Sequence, residues 1–150
     1  MAQLYVAAER TIAAPADRVY QYIADFREHH HRFLPPAFSD FAVEQGGVGA
    51  GTIIRFRITA GGRTRQYRNQ VAEPEPGRVL TESDLNSSLV TTFTVTPDGV
   101  DSRVRSETTW QGAGGIGGFF ERLFAPRVLR RLYADELERL DRYARERANP

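Results

Sequence analysis

From Phe38 to Gln111 the chain is cut at short intervals by turn signals, and no apolar pattern of helical period survives between the cuts. The cuts are Gly46 to Gly51, Gly61-Gly62, Pro74-Glu75-Pro76-Gly77, Leu85 to Ser88 and Pro97-Asp98-Gly99. Six strands fit between them, at about 39–45, 52–59, 64–73, 78–84, 89–96 and 102–111. Connections this short join antiparallel neighbours, so the middle of the chain must be one meandering sheet.

The flanks supply the rest of the architecture. Residues 4–12 alternate as a seventh strand and end at Ala13-Ala14-Pro15, after which Val19, Tyr22, Ile23 and Phe26 recur at helical spacing. Pro15 suits a first helical turn, where its missing N–H is no loss, and Asp17 complements the positive end of the helix dipole. Three histidines and a Pro pair then break the pattern over 27–36, with room for one extra turn. After the glycine cluster at 112–118, apolar residues from Phe119 to Leu140 repeat at helical spacing, with Asp135/Arg139, Glu138/Arg142 and Asp141/Arg145 as i,i+4 pairs. This predicts one long amphipathic helix, broken or kinked near 122–125 by Pro126, with its first turns free to move separately.

Composition narrows the chemistry. The 150 residues fit a single domain, and the absence of Cys excludes disulfides, thiolate metal sites and a cysteine nucleophile. All twenty basic residues are Arg, which removes Schiff-base lysines and a P-loop lysine. They are balanced by nineteen carboxylates to a net charge of +1, so no basic footprint for nucleic acid exists. No apolar run is long enough to span a membrane, and Glu9 and Arg10 fall where a signal peptide would be apolar, so a cytoplasmic protein without stable membrane insertion is expected. The Asn86-Ser87-Ser88 sequon then reads as a turn.

A helix is only about 10 to 12 Å across, while seven strands about 4.8 Å apart make a sheet roughly 30 Å wide. One helix cannot cover that face unless the sheet curls around it, and where side chains fall short an apolar pocket remains. Phe33, Phe38, Phe41, Phe119, Phe120 and Phe124 crowd the two irregular segments, where the pocket mouth is expected. Strand parity turns Ile54, Phe56 and Ile58 inward, with Leu89, Thr91, Phe93 and Val95, and with Val104, Ser106, Thr108 and Trp110. Val71 facing in brings Arg65, Tyr67 and Asn69 with it as polar handles. For 78–84 parity leaves Leu80/Glu82/Asp84 and Val79/Thr81/Ser83 both open.

The segment Thr11 to Tyr20, the helix close Ala24-Asp25-Phe26, the stretch Val71 to Leu80, the turn from Pro97 to Val104 and the last helix, Arg131 to Glu146, together resemble the START/Bet v 1-like superfamily. This is the helix-grip fold of polyketide cyclase/dehydrase-like proteins, with Ser102 standing where Thr is usual. The resemblance implies an α+β fold: a seven-stranded curved antiparallel sheet around a long C-terminal helix, with one or two short helices between strands 1 and 2. It implies a cavity for hydrophobic small molecules such as lipids, quinones or polyketides. These are fold motifs, and they carry no catalytic signature.

Two functions fit. A carrier or sensor would hold a hydrophobic ligand among Tyr22, Phe26, Phe33, Phe41, Phe56, Tyr67, Thr91, Phe93, Thr108, Trp110, Phe120, Leu123 and Phe124. A cyclase or aromatase would fold a poly-carbonyl substrate near Tyr67, Asn69 and Arg65, with a tyrosine or loop histidine moving the proton and Arg65 or Asn69 stabilising an enolate. No cofactor or metal is expected, and the chain reads equally as monomer or homodimer. His29-His30-His31 is adjacent rather than spaced for a metal and reads as a solvated loop, with one ring a candidate acid or base if it borders the cavity. Gly112 to Gly117 spells G-x-G-x-x-G, but no parallel strand follows, so the segment is an ordinary loop or a hinge over the pocket mouth.

Overall fold

The computed structural model describes residues 3–60, 62–111 and 115–148, with side chains in the last segment from Pro126 onward. Seven strands form one sheet: β1 (Gln3–Ile12), β2 (Phe38–Gln45), β3 (Ile53–Ala60), β4 (Arg63–Glu75), β5 (Val79–Asp84), β6 (Val90–Asp98) and β7 (Asp101–Gln111). Their order is β1-β7-β6-β5-β4-β3-β2, and every neighbouring pair is antiparallel. Strands β2 to β7 follow as successive hairpins, and β1 closes against the last of them. The sheet is curved around the long helix, and the seven expected strands all form with ends displaced by no more than two residues.

Helix α1 (Ala16–Ala24) and a 3-10 turn, η1 (His30–Phe33), occupy the crossover from β1 to β2. Pro15 precedes the first helical residue, and its carbonyl accepts the bond from Val19 N at 3.0 Å. Asp25 ends the helix: its own N–H donates to Gln21 O, and its Oδ1 accepts the N–H groups of Arg27 and Glu28, turning the chain toward the histidines.

Helix α2 (Gly115–Ala148) runs through Pro126, so the expected break does not end it, and it begins within the glycine cluster. The loop expected at 112–114 lies outside the described residues, and so do the side chains at 122–125, where the bend is expected. Leu132, Leu137, Leu140 and Ala144 on α2 are buried along with Val6, Ile12 and Val104 of the sheet. A polar tie fixes the helix against β1. Asp141 accepts the N–H of Ala13 at 2.9 Å and faces Arg10 at 3.4 Å and Arg145 at 3.2 Å. The three i,i+4 pairs expected on α2 are all present.

The convex face is charged and paired. Arg55 and Arg68 reach Glu44, Arg57 reaches Asp40, and Arg103 and Arg105 share Glu9. This is the solvated outer face that strand parity requires.

Candidate functional site

Cross-strand register decides which polar groups enter the interior. Residues paired directly across antiparallel strands share a face, and one row across the sheet runs Val6, Thr108, Thr91, Glu82 and Val71. The row turns Glu82 inward with Leu80 and Asp84, which settles the parity that sequence left open. A bulge between Ala72 and Glu75 accommodates this register. Counted back from the pair Glu75 and Val79 without the bulge, Glu82 would fall opposite outward-facing Ala72. Glu73, inside the bulge, accepts the Tyr20 hydroxyl at 2.6 Å and the Ala50 N–H at 2.7 Å, so α1 and the glycine turn hold it in place.

A narrow cavity lies between the concave sheet and α2. Phe38, Phe41, Ile54, Phe56, Ile58 and Tyr67 of β2 to β4 form one wall. Glu82, Leu89, Thr91 and Phe93 continue it, and Leu129, Tyr133 and Glu136 of α2 face it, with His30 and Leu34 at the side. It has about 40 Å³ of free space and opens to solvent at its mouth. That is room for a few waters, well short of the roughly 150 Å³ of a dry cavity that takes up benzene, so a ligand carrying a ring requires side chains to shift. Phe56 stacks on Tyr67 at 5.5 Å and packs against Phe38 at 5.3 Å, which makes this wall predominantly aromatic.

The polar groups cluster at one end. His30, 2% exposed, is stacked on Phe26 at 4.5 Å, and its Nδ1–H donates to Ile23 O at 2.6 Å. That bond leaves the Nε2 lone pair directed inward, 4.0 Å from Glu82 Oε2. Burial pushes His30 down to about 4 and Glu82 up to about 7, the Asn69 amide at 3.2 Å opposing the latter in part. The contact is therefore an imidazole facing a carboxylic acid, both uncharged in mildly acidic solution, rather than an ion pair. Burial also raises Glu136 well above the carboxylate range, reinforced by the charges of Glu82 and Asp135. Thr91 and Thr108 hydroxyls meet at 2.8 Å, and Thr108 donates to Tyr133 OH at 2.9 Å; burial raises that phenol too.

Five of the expected ligand residues border this space: Phe41, Phe56, Tyr67, Thr91 and Phe93. Tyr22, Phe26 and Phe33 do not, because they fill the interior beside His29, His30 and Tyr143. Thr108 reaches the site only through Thr91 and Tyr133, and Trp110 is buried without bordering it. The side chains of Phe119, Phe120, Leu123 and Phe124 lie outside the described residues. Of the polar handles, Tyr67 borders the cavity and Asn69 acts through Glu82. Arg65 is exposed instead, since it pairs with Ile58 near the β3–β4 hairpin, toward the open end of the strand. The histidines are not one solvated loop. His29 bonds Tyr143 at 2.7 Å, His30 is buried, and only His31 is turned outward, its Nε2–H donating to Arg27 O.

Sequence reasoning missed His30, Glu82, Tyr133 and Glu136 as a group. A signal for the last two existed, because Leu129, Tyr133, Glu136 and Leu140 fall at i, i+4, i+7 and i+11 on one helix face. A carboxylate on an apolar stripe is the anomaly that marks a site.

The fold recurs in known proteins. The chain is similar to the KanY protein, whose solution structure has 36% identity, a TM-score of 0.86 and a match covering 97% of this chain and 99% of that one. It is also similar in fold to the Zhui aromatase/cyclase from Streptomyces sp. R1128, at 18% identity, TM-score 0.82 and coverage of 99% and 97%. Norcoclaurine synthase from Thalictrum flavum, at 19% identity, shares the fold with TM-score 0.73 and coverage of 97% and 88%. No curated protein matches the chain. Residues 3–145 match the family described as polyketide cyclase / dehydrase and lipid transport, and the chain, with its hydrophobic cavity between sheet and helix, belongs to that family.

Proposed function

We propose that the protein binds a small, largely apolar molecule in this cavity, as a carrier or sensor, with the ligand's ring or chain lying between Phe56 and Tyr67 of the sheet and Leu129 and Tyr133 of the helix. The observation that supports this most is the aromatic wall itself, in which Phe38, Phe56 and Tyr67 pack side by side along the sheet and together border the cavity. Titrating aromatic and polyketide-like compounds while following the methyl NMR signals of Ile54, Ile58 and Leu129 tests it. Saturable shifts confined to these methyls are expected; a screen without any saturable shift would refute the reading.

A second reading, a cyclase- or aromatase-type enzyme, is favoured by one feature: Glu82, held near neutrality, faces the same space with Tyr67 and Tyr133. A carboxyl of this kind can give up and take back a proton at working pH. Asn69 positions it, and Tyr67 or Tyr133 would hold the substrate oxygen. Turnover of a poly-carbonyl substrate by Glu82→Gln and Tyr67→Phe separates the readings. An enzyme loses turnover far more than affinity in both variants, while a carrier shows no turnover to lose.

A further inference from the structure

Glu136 is 4% exposed and borders the cavity, yet it has no hydrogen-bond or ionic partner among the described residues. Glu82, on the opposite wall, receives a hydrogen bond only from the Asn69 amide among the described residues. No arginine is among the described residues lining the space, although the chain has twenty. The remaining polar lining groups are His30, whose inward nitrogen is an acceptor, and the hydroxyls of Tyr67, Thr91 and Tyr133. The site therefore presents more acceptor capacity than donor capacity, with two carboxyls and no cation among these groups. A buried carboxyl without a partner is costly, and the group that would complete the lining seen among the described residues is a donor, most effectively a charged one.

We infer that the cavity selects ligands carrying a basic nitrogen, whose protonated amine sits between Glu82 and Glu136 while the apolar body lies against Phe56 and Tyr67. The inference rests on the cavity being the ligand site proposed above. A free-base amine entering the site takes the proton from the Glu136 carboxyl: that O–H bond breaks, an N–H bond forms, and the resulting ammonium faces a carboxylate. The Tyr67 ring adds attraction for the cation. A fatty-acid carboxylate meets the opposite situation, two carboxyls and no guanidinium among the described lining residues.

The test compares benzylamine, benzyl alcohol and benzoate, three probes on one ring, by NMR titration of the full chain at neutral pH. The amine is expected to bind at least about tenfold more tightly than the alcohol, as one charge-assisted hydrogen bond supplies, with benzoate weakest. Glu136→Gln should abolish most of the amine's advantage over the alcohol, and Glu82→Gln provides the same arm if the first variant does not fold. An alcohol that binds as well as the amine, or an amine preference that survives both substitutions, overturns the inference and leaves the cavity reading intact. If all three probes fail to bind, the cavity reading falls and this inference with it.

Discussion

Glu82→Gln is expected to make the protein more stable in alkaline solution and to leave it nearly unchanged in acid. In the fold the Glu82 carboxyl titrates at about 7, against an ordinary 4.5, chiefly because burial disfavours its charge. An acid whose folded value is raised binds more protons in the folded than in the unfolded chain between those two values. Its stabilising effect is complete below pH 4.5 and is lost as pH rises through 7. The loss amounts to roughly 3 kcal/mol once both states are ionised. The glutamine side chain of the variant avoids this loss because it does not ionise. Its amide oxygen accepts from Asn69 as the carboxyl does, and its NH₂ points toward the His30 Nε2 lone pair, which lies 4.0 Å from Glu82 Oε2 in the parent. Urea unfolding of both proteins at half-unit steps from pH 5 to 8 measures the difference directly. The variant should gain on the parent by roughly 2 to 3 kcal/mol across that range, or about 5 to 10 °C in Tm. A difference that stays constant with pH would show that Glu82 is solvated, and the reasoning about the polar end of the cavity would fail with it.

His30 has the opposite dependence. Its folded value is lowered from 6.5 to about 4 by burial, so its stabilising effect is present above 6.5 and is lost as pH falls toward 4; His30→Asn, which can keep the bond to Ile23 O, should flatten this acid limb in the same urea series. Asp141→Ala should cost roughly 2 to 4 kcal/mol in urea unfolding, because it leaves Ala13 N–H unpaired and unties β1 from α2, whereas Arg142→Ala, which breaks only the exposed pair with Glu138, should stay within about 0.5 kcal/mol. Gly49→Ala should cost roughly 2 to 4 kcal/mol by thermal unfolding: φ there is +66°, and a Cβ would stand 2.2 Å from Glu73 Oε1, displacing the carboxylate that holds Ala50 and Tyr20.

The fold was legible because its signals are local. Turn residues at 74–77 and 97–99 cut the strands, period-two alternation set the faces of β3, β6 and β7, and the helical repeat of apolar residues from Phe119 to Leu140 marked the long helix. Each depends on residues only a few positions apart, which is the range that backbone sterics and turn geometry control. The expectation of a cavity also came from sequence, since it follows from the width of seven strands against the diameter of one helix.

What the cavity contains was decided by tertiary structure. Glu82 faces inward because it pairs with inward-facing Thr91 of β6 and Val71 of β4, a register that the bulge between Ala72 and Glu75 accommodates, and nothing local in Val79 to Asp84 distinguishes the two faces. His30 is buried between neighbours that remain near the surface, because Asp25 turns the chain and Phe26 and Phe33 close on the middle ring. Tyr22, Phe26 and Phe33 are packing rather than lining because long-range contacts place them against His29, His30 and Tyr143. Sequence alone determined the layers and the space between them; the meeting of His30, Glu82 and Glu136 from three separate elements is a long-range event, settled only when strand register and helix docking bring them to one point.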